Sequence, residues 1–562
     1  MLRPGRLRYP PPLTMYHRRT RTVRLPALIA AMLLALAAGC ATNPEPTTDT
    51  RPLADEAPPQ LVILVVLDQV GDWVLAEHLA LLPPDSLMRR AWQEGARYTA
   101  TLPYANTATA AGHATLVTGV APAEHGAFAN AVHDAAHGRL PIVDDRAHPV
   151  IGNPDSHVSP LALRVPTVGD RLHAATGGKA VIAGVSMKAR AAVLATGRSA
   201  DIAVFYDDDI PALTTSAWYR PDGRLPDWLA AFNDEWPVER TFTTWQREAA
   251  SPCAVDDAPG EGPFLGWDNV FPYDPADSRK PDKAFGYSAA STPYLFAAGR
   301  AVIEAEAMGR DEVPDLLVLG VSGTDRIGHV WGATSCEYVD NLLRTDRELT
   351  ALARSLPADA RVTWIITADH GVARLPEQSE MPGGRLSGAQ ILETARSAAR
   401  AALGEGDWIA GYQSSGLYFT AAGDARGEEL GLAVGTALTA LPGIERAYAF
   451  GERAALAASA SAIDRLAAAS MPADVDADLL VVPAAGWFNE VYDVPGGGTN
   501  HGTPWDYDRR VPLLMWGHGI ERVVSEEVAD ARRVAATLAA ILGVPAPEDA
   551  MQPPLAGVET AR

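Results

Sequence analysis

Short runs of apolar and β-branched residues recur along the chain, and most of them are followed by a polar or charged side chain. Continuous apolar character over six or seven residues is typical of a strand that is buried on both faces of a parallel sheet. These runs cover residues 61–67, 180–185, 316–321, 362–367 and 511–516. We therefore predict buried strands at these five places.

Alanine-rich segments with helical character lie between these runs, at residues 294–308, 340–354 and 532–542. Strands that alternate with helices predict an α/β fold, in which a mainly parallel open sheet is sandwiched by helices. Two regions interrupt the alternation, at about 207–288 and 377–498. Candidate chemical residues lie before and after each region, so we interpret both as inserted cap regions of one domain that spans residues 61–562.

The first inserted region is rich in tryptophan. Its indole side chains are expected to pack within a long excursion of the chain, rather than to form a cage around a ligand. The residues concerned are Trp218, Trp228, Trp236 and Trp245.

The first 40 residues predict an export signal. Seven arginines occur before residue 25, and the apolar run at 25–38 is shorter than the ~20 residues of a membrane span. The run ends in Leu-Ala-Ala-Gly-Cys40, which resembles a bacterial lipobox and implies cleavage before Cys40 and a lipid on its thiol. We expect an exported, periplasmic protein that is anchored to the outer membrane by lipid. A plain cleaved signal, an uncleaved anchor, a twin-arginine signal and a start at Met15 stay open.

Residues 41–60 are rich in proline, threonine and acidic residues and show no apolar periodicity, which predicts a disordered tether. In an oxidising compartment Cys253 and Cys336 are able to pair. Pairing and two free buried thiols are both open at this point.

Composition and charge exclude several classes of protein. A chain of 562 residues with 47% apolar and 21% charged residues is neither disordered nor collagen-like. After the first 24 residues, 40 basic residues face 69 acidic ones, a balance of −29 that repels polyanions. Nucleic acid is therefore not expected as a partner, and a monomer is favoured. Three cysteines support neither a disulfide scaffold nor a cysteine-rich zinc module.

Side chains that can bind a metal ion stand at or just after the ends of predicted strands. Because ligands collect outside the carboxyl ends of parallel strands, we expect these side chains to meet at one edge of the sheet. One histidine lies four residues after an aspartate, so that one helical turn or a tight loop would aim both at the same ion, and another lies in a glycine-rich segment that permits close approach of the backbone. The residues are Asp68, Asp325, His329, Asp369, His370 and His501.

Imidazole and carboxylate ligands without thiolate suit zinc or a similar divalent ion. Six ligands are too many for one catalytic zinc, and they suit two ions ~4 Å apart that clamp the two oxygens of a phosphoryl displacement. We therefore expect two divalent metal ions, Zn²⁺, as cofactors. Taken singly, each residue also fits a helix cap or a buried core histidine, so the prediction depends on their joint placement.

A hydroxyl nucleophile is expected between the two ions. Residues 105–113 change from extended to helical character, which places Thr109 near a helix N-terminus, where an anion is favoured. A divalent ion beside a hydroxyl makes its proton easier to remove. Thr107 is the competing nucleophile, and Thr109 also fits a simple N-cap; spacing does not separate these alternatives.

Two cations, Lys188 and Arg190, follow the predicted strand at 180–185. Residues two apart on an extended chain point to the same side, so both are expected to face one anion, with arginine supplying a planar fork for phosphate. In isolation such a pair is more often a solvated surface feature.

Together these residues resemble the alkaline phosphatase superfamily and, more closely, the single-chain bacterial alkaline phosphatases with a threonine nucleophile, often called PafA-like. The resemblance covers most of the chain from residue 61 onward, because the motifs that carry it occur in a fixed order. They are Val66-Leu67-Asp68-Gln69, Thr109-Ala110-Ala111-Gly112-His113-Ala114-Thr115, Thr118-Gly119, His125-Gly126 with Asn130, Lys188-Ala189-Arg190, Thr324-Asp325 with His329, Ala368-Asp369-His370-Gly371, and Asn500-His501-Gly502-Thr503-Pro504.

The resemblance implies an alkaline-phosphatase-like sheet and a role for each site residue. One zinc would be held by Asp325, His329 and His501, and the other by Asp68, Asp369 and His370. Thr109 would bridge toward the second zinc and become phosphorylated, while Asn130, Lys188 and Arg190 would contact the phosphoryl group. Ala110-Ala111 replaces an expected Gly-Pro pair and Ala189 an expected polar or acidic residue, which puts the turn and the outer contacts in doubt.

The expected function is hydrolysis of small phosphate monoesters. A phosphodiesterase or nucleotide pyrophosphatase of the same superfamily is the alternative, although a second ester arm would compete with Lys188 and Arg190 for space. A sulfatase is disfavoured, because no Cys or Ser stands in a formylglycine context. From another class, a non-catalytic metal-binding envelope protein stays open.

Overall fold

The structure is a computed structural model that describes residues 57–248, 251–491 and 494–558. The predicted signal peptide, the lipobox at Cys40 and most of the predicted tether lie outside the described residues. Residues 57–60, at the end of the predicted tether, already contact the domain. The carbonyl of Pro58 accepts a hydrogen bond from Arg361, and the amide of Gln60 donates to the carbonyl of Arg361 at 2.8 Å. The folded part therefore begins a few residues before the predicted boundary.

The described residues contain twenty strands. They are β1 (Leu61–Leu67), β2 (Ala96–Thr101), β3 (Ala131–Asp134), β4 (Gly138–Pro141), β5 (Pro149–Val150), β6 (Asn153–His157), β7 (Ile182–Ser186), β8 (Ile202–Asp207), β9 (Ala212–Thr214), β10 (Asp315–Val321), β11 (Val362–Thr367), β12 (Gly384–Leu386), β13 (Ile409–Gln413), β14 (Gly416–Phe419), β15 (Ile444–Ala449), β16 (Leu479–Pro483), β17 (Trp487–Asn489), β18 (Arg510–Gly517), β19 (Val523–Val524) and β20 (Ala529–Asp530).

The same residues contain nineteen α-helices, several of them a single turn. They are α1 (Asp72–His78), α2 (Leu87–Glu94), α3 (Thr109–Thr118), α4 (Pro122–His125), α5 (Val168–Thr176), α6 (Ala189–Thr196), α7 (Asp227–Glu235), α8 (Val238–Thr241), α9 (Pro281–Phe285), α10 (Ser291–Ala305), α11 (Gly323–Trp331), α12 (Cys336–Ser355), α13 (Gly388–Leu403), α14 (Ala421–Asp424), α15 (Gly427–Thr439), α16 (Arg453–Ala457), α17 (Ala462–Ala469), α18 (Asp506–Arg509) and α19 (Arg533–Leu542). Within this part of the chain, no helix has the length and apolar character that a membrane span requires.

A ten-stranded sheet forms the centre of the domain. Its strands follow the order β19-β2-β18-β11-β1-β10-β7-β8-β9, and β20 also pairs with β2. The central strands β11, β1, β10, β7 and β8 are parallel, and every residue of β1 is buried. One group of helices that pack on each other comprises α3, α5, α6 and α19, and another comprises α2, α7, α10, α11 and α12. The predicted α/β fold with a mainly parallel sheet is confirmed, and all five predicted strands are present.

The strand β18 is antiparallel to both neighbours, β11 and β2. It therefore begins at the edge where the parallel strands end, and the hydroxyl of Thr367 donates to the carbonyl of Pro512 there at 2.8 Å. An apolar run indicates that a strand is buried but not in which direction the strand runs. The apolar run of β18 is similar to the other four, so the sequence did not predict that β18 is antiparallel to its neighbours. The loop that precedes β18 thus lies at the carboxyl edge of the sheet.

The first inserted region begins within the main sheet, because β9 pairs with β8. The rest of it packs aromatic side chains against the main hydrophobic core, with Trp245 and Trp267 buried. Trp228 and Trp236 pack against the same core and Trp218 against a smaller one. The tryptophans thus pack, as predicted. A disulfide joins Cys253 to Cys336, the first residue of α12, and settles the pairing that the sequence left open.

The second inserted region has its own sheet, in the order β13-β14-β16-β15. Helices α13 and α15 pack on each other, and a separate hydrophobic cluster lies beneath them, with Ile391, Leu417, Leu438 and Val481 buried. The region therefore carries a core of its own beside the main sheet.

Candidate active site

Asp68 follows the last residue of β1, at the centre of the carboxyl edge of the main sheet. Its backbone carbonyl accepts a hydrogen bond of 2.6 Å from the hydroxyl of Thr324, which holds the turn in place. The side chain is fully buried, and its Oδ2 lies 2.6 Å from Lys188 Nζ. The other oxygen, Oδ1, is buried and accepts no hydrogen bond from the described residues.

Asp325 and His329 lie one turn apart on α11, which follows β10 directly. His329 Nδ1 faces the carbonyl of Thr499 at 2.9 Å, and because a carbonyl only accepts, this nitrogen is the donor. His329 Nε2 then carries the lone pair, and it lies 3.2 Å from Asp325 Oδ1. The predicted convergence of these two residues is therefore present.

Asp369 and His370 follow the end of β11 and are fully buried. His370 Nδ1 faces the carbonyl of Gly371 at 3.0 Å, so Nε2 again carries the lone pair. That nitrogen lies 3.4 Å from Asp68 Oδ1 and 3.5 Å from Asp369 Oδ2. The turn after β11 thus meets the turn after β1.

His501 reaches the same edge from the loop that precedes β18. Its Nδ1 faces the carbonyl of Thr107 at 2.6 Å, and its Nε2 lies 3.5 Å from Asp325 Oδ1. The imidazole rings of His501 and His370 stack with their centroids 3.5 Å apart. The reversed direction of β18 is what brings this histidine to the other ligands.

Burial and charge set the protonation of the carboxyl groups. Burial raises the pKa of Asp68 well above its usual range, and the carboxylates of Asp325 and Asp369 raise it further. Burial alone would raise the pKa of Asp325 as well. The nearby His329 and Lys188 outweigh this effect and hold the pKa of Asp325 well below its usual range. Three buried carboxyl groups around a single lysine leave a strong demand for positive charge at this point.

The buried histidines favour the neutral form. Burial lowers the pKa of His370 to about 3 and also lowers the pKa of His501, because both imidazoles lie away from water. A neutral imidazole with a free lone pair is the form that binds a metal ion.

Five of the six predicted ligands form two compact groups of donor atoms that share Asp325, and within each group all atoms lie within 4.8 Å of one another. The first group is Asp325, His329 and His501, and the second is Asp68, Asp325 and His370. Asp369 lies beside the second group through His370. Asp68 and Asp369 each have a buried oxygen that accepts no hydrogen bond within the described ranges, and these oxygens together with the imidazole lone pairs fit one divalent cation at each group.

Thr109 is the first residue of α3, with Ala108 at the N-cap position, so it is not the N-cap. Its Oγ1 lies 3.5 Å from His370 Nε2. Thr107 differs, because its hydroxyl accepts hydrogen bonds from the amides of Gly502 and Thr503 at 3.1 and 3.2 Å. The hydroxyl of Thr109 therefore faces the predicted ligands, whereas that of Thr107 holds the loop that carries His501.

Asn130 lies near the start of α3. Its Oδ1 accepts a hydrogen bond of 3.0 Å from the amide of Ala110, which fixes the side chain and leaves the amide nitrogen as a donor. Ala110 takes this bond although the family resemblance leads one to expect a glycine there. The contact therefore does not depend on the missing Gly-Pro pair.

Lys188 and Arg190 do not lie on an extended chain, since α6 begins at Ala189. Lys188 is buried and pairs with two ligands of different turns, Asp68 and Asp325. Arg190 lies in the first turn of the helix, where its buried Nε has no hydrogen bond from the described residues and burial lowers its pKa. The expectation that both cations point to one side is wrong in its reasoning, because the helix starts between them.

A cavity of about 570 Å³ opens at this edge of the sheet. Arg190, Asn130, His329 and His501 line it, and the hairpin of β3 and β4 adds Arg139. The second inserted region contributes the opposite wall, including Tyr412 and Asn489. A small anionic group with an organic arm fits this mixture of basic, amide and aromatic side chains.

Two residues at the site were not singled out from the sequence. His113, one turn into α3, lies 3.1 Å from Asp369 Oδ2 and 3.0 Å from the carbonyl of Thr109. Gln69 follows Asp68 and donates hydrogen bonds to two of the predicted ligands, Asp369 and Asp325. Both occur in the motifs of the resemblance, but spacing alone assigns them no chemistry.

Comparisons with known proteins show the family of the chain and the similarity of its fold to a solved structure. The family model described as type I phosphodiesterase / nucleotide pyrophosphatase matches residues 62–409. Alkaline phosphatase PhoV of Synechococcus elongatus is 30% identical over 348 residues, which are 59% of this chain and 62% of that protein. Alkaline phosphatase PhoK of Sphingomonas sp is 28% identical over 517 residues, 88% of this chain and 90% of the relative. In fold, the chain is similar to the crystal structure of wild type alkaline phosphatase PafA, with a TM-score of 0.81, 24% identity, and coverage of 90% and 99%.

Proposed function

The chain belongs to the type I phosphodiesterase / nucleotide pyrophosphatase family of the alkaline phosphatase superfamily, and we propose that it is a metal-dependent hydrolase of phosphate monoesters. The observation that carries the proposal is the meeting of two groups of carboxylate and imidazole side chains, with the hydroxyl of Thr109 3.5 Å from Nε2 of His370 in one of them. Relatives named alkaline phosphatases support the same reaction class.

Two divalent ions, Zn²⁺ in this proposal, would supply Lewis acidity at the attacking and leaving oxygens. Asp325, His329 and His501 would hold one of them, and Asp68, Asp369 and His370 the other. The neutral imidazoles and the buried carboxylates of these residues are the donors that such ions prefer.

Thr109 is the proposed nucleophile. Its Oγ1 gives up its proton to solvent and forms a bond to phosphorus while the bond from phosphorus to the substrate oxygen breaks, so that the alcohol leaves with a proton from solvent. The N-terminus of α3 favours the negative charge that gathers there. Water then attacks phosphorus, Oγ1 of Thr109 leaves and recovers a proton, and inorganic phosphate is released.

Arg190 and Asn130 are proposed to bind the phosphoryl oxygens. Arg190 lines the cavity and offers a planar fork of donors, and the Asn130 amide nitrogen is oriented by the bond that its Oδ1 accepts. Lys188 adds positive charge beneath them, between Asp68 and Asp325. Most of the catalysis would then come from fixed charges around the transferred group.

The alternative is a phosphodiesterase, which the description of the matching family favours. A diester carries one negative charge fewer on the phosphoryl group and brings a second organic arm into the space beside Arg190. The comparison of an aryl phosphate with the matching methyl aryl diester separates the two functions. A higher kcat/KM for the diester would overturn the monoesterase assignment.

The substitution Arg190→Ala is expected to lower kcat/KM for an aryl phosphate by about 10²- to 10³-fold, because a bidentate charge-assisted contact is lost. The loss for the methyl aryl diester should be roughly tenfold smaller, since fewer anionic oxygens face the guanidinium. The variant should keep the wild-type melting temperature, because Nε of Arg190 has no partner among the described residues. Equal losses for both substrates would argue against a phosphate-binding role. Arg190→Lys, which keeps charge without the fork, is the matched control and should lie between.

We further propose that the protein is exported and anchored by lipid at Cys40, as the sequence before the domain predicts. The disulfide between Cys253 and Cys336 supports an oxidising compartment. Cells that are fed a labelled fatty acid should label the wild-type protein and not Cys40→Ser. Equal labelling of the two proteins would remove the anchor from the proposal.

A further inference from the structure

We infer that Gln69 is a positioning residue that fixes ligand carboxylates of both predicted metal groups; the inference rests on the proposed two-metal function. Gln69 is fully buried and directly follows Asp68. Its backbone has a φ of 68°, a left-handed conformation that residues other than glycine seldom adopt. Such a conformation persists only where the surroundings hold it, and here it directs two separate hydrogen bonds.

The backbone of Gln69 contacts Asp369, which the proposed function assigns to the second ion. Its amide donates to Asp369 Oδ1 at 3.3 Å, across 300 residues of chain. Asp369 lies beside His370, whose Nε2 is 3.5 Å from the other carboxylate oxygen. The turn after β1 therefore orients the carboxylate that follows β11.

The side chain of Gln69 contacts the first group. Its Nε2 donates to Asp325 Oδ1 at 3.2 Å, the same oxygen that faces Nε2 of His329 and of His501. Nε2 also lies 3.5 Å from His329 Nδ1, but that nitrogen already donates to the carbonyl of Thr499. The side-chain amide of Gln69 therefore donates to Asp325, and this contact outside the metal ligands sets the orientation of one of them.

The helix α11 makes room for this amide. Gly328 lies immediately before His329, and a Cβ atom at that position would stand 2.0 Å from Gln69 Oε1. Glycine inside a helix is less favourable than alanine, so Gly328 lowers the stability of α11 at the point where the glutamine side chain packs. The same helix thus carries two ligands and the space for the residue that orients one of them.

Simple packing does not account for a glutamine here. Its Oε1 is buried and accepts no hydrogen bond from the described residues. A buried acceptor without a partner is unfavourable, and methionine would fill a similar volume without that cost. Of the two polar side-chain atoms of Gln69, only the nitrogen has a hydrogen-bond partner among the described residues, and that partner is Asp325. A positioning role requires this donor.

The test compares Gln69→Met with the wild-type protein in a titration with Zn²⁺ and Co²⁺ against a competing chelator. We expect the affinity for one of the two ions to fall by about 10- to 100-fold, as when other outer contacts of a metal site are lost. The second ion should be held more nearly as in the wild type, because the backbone donor to Asp369 survives. The visible Co²⁺ spectrum of the weakened centre should change as well.

Two further variants test whether the loss of affinity comes from the side-chain amide of Gln69. Gly328→Ala should displace the amide from the other side and weaken the same ion, with residue 69 unchanged. Tyr338→Phe removes a buried hydroxyl beside the same glycine that has no hydrogen-bond partner in the described part of the chain, and it should leave both affinities as they are. If Gln69→Met does not fold, Gln69→Gly accepts the positive φ, keeps the backbone donor and serves in its place.

Wild-type affinities for both ions in the residue 69 variant would overturn the inference. A wild-type chain that binds no divalent ion would overturn both the inference and the proposed function. A chain that binds two ions, loses one in Gln69→Met and yet hydrolyses no phosphate ester would remove the proposed function alone.

Discussion

Thr109→Ala is expected to lower the turnover of an aryl phosphate by about 10⁴-fold or more, because the attacking oxygen is absent. The fold should be retained, since the nearest polar contact of the hydroxyl is 3.5 Å away, at His370 Nε2. Acid quenching of the wild type with labelled substrate should trap phosphate on the chain, and the variant should trap none. Thr109→Ser keeps a hydroxyl and should retain both turnover and labelling at a reduced level.

Thr107→Ala is the matched control for this experiment. Its hydroxyl accepts hydrogen bonds from Gly502 and Thr503, so its loss should destabilise the loop around His501 while covalent labelling continues. Full activity in Thr109→Ala, with loss of labelling in Thr107→Ala, would transfer the nucleophile to Thr107. Full activity in both variants would favour a mechanism without a threonine nucleophile.

Removal of divalent ions with a chelator is expected to reduce activity by about 10³-fold or more, and added Zn²⁺ should restore it. The melting temperature should fall by several degrees, because ions that bind only the folded chain add to its stability. The buried carboxyl groups of Asp68, Asp325 and Asp369 would then face one another, and Lys188 forms ion pairs with only the first two of them. Elemental analysis should find two ions per chain before chelation.

The variant Thr109→Ala provides the control, since it lacks turnover but keeps the six ligands. Chelation should lower its melting temperature as much as that of the wild type. Undiminished turnover in protein shown to be free of metal would exclude the proposed chemistry, whatever the thermal shift.

The placement of the candidate site residues at one edge of the sheet could be predicted from the sequence, because the buried strands that precede them could be predicted. β1, β10 and β11 are nearly pure apolar runs, and in a parallel sheet the residue after each run must lie at one edge. The fold class predicted from this alternation is confirmed, and the resemblance read from the motifs is confirmed by the family match and by similarity to alkaline phosphatases. The roles of the site residues stay predictions that the experiments above test.

Features that depend on the direction of a strand or on contacts between distant parts of the chain could not be predicted from the sequence. The apolar run of β18 looks like the others, yet the strand is reversed. The spacing of Lys188 and Arg190 is compatible with strand or helix, and a helix start between them changes where each points. Gln69 has no chemical signature of its own, since its role follows from a turn with positive φ and from a glycine 259 positions later.

The position of β18 also determines which part of the chain completes the central sheet during synthesis. This strand fills the place between β11 and β2, so a ribosome that has not yet passed Gly517 holds a chain whose central sheet is split in two. His501 would have no scaffold before that moment. A polypeptide that ends before Gly517 therefore lacks the strand that joins the two parts of the sheet, and the cluster of predicted ligands is complete only when this late part of the chain has been inserted.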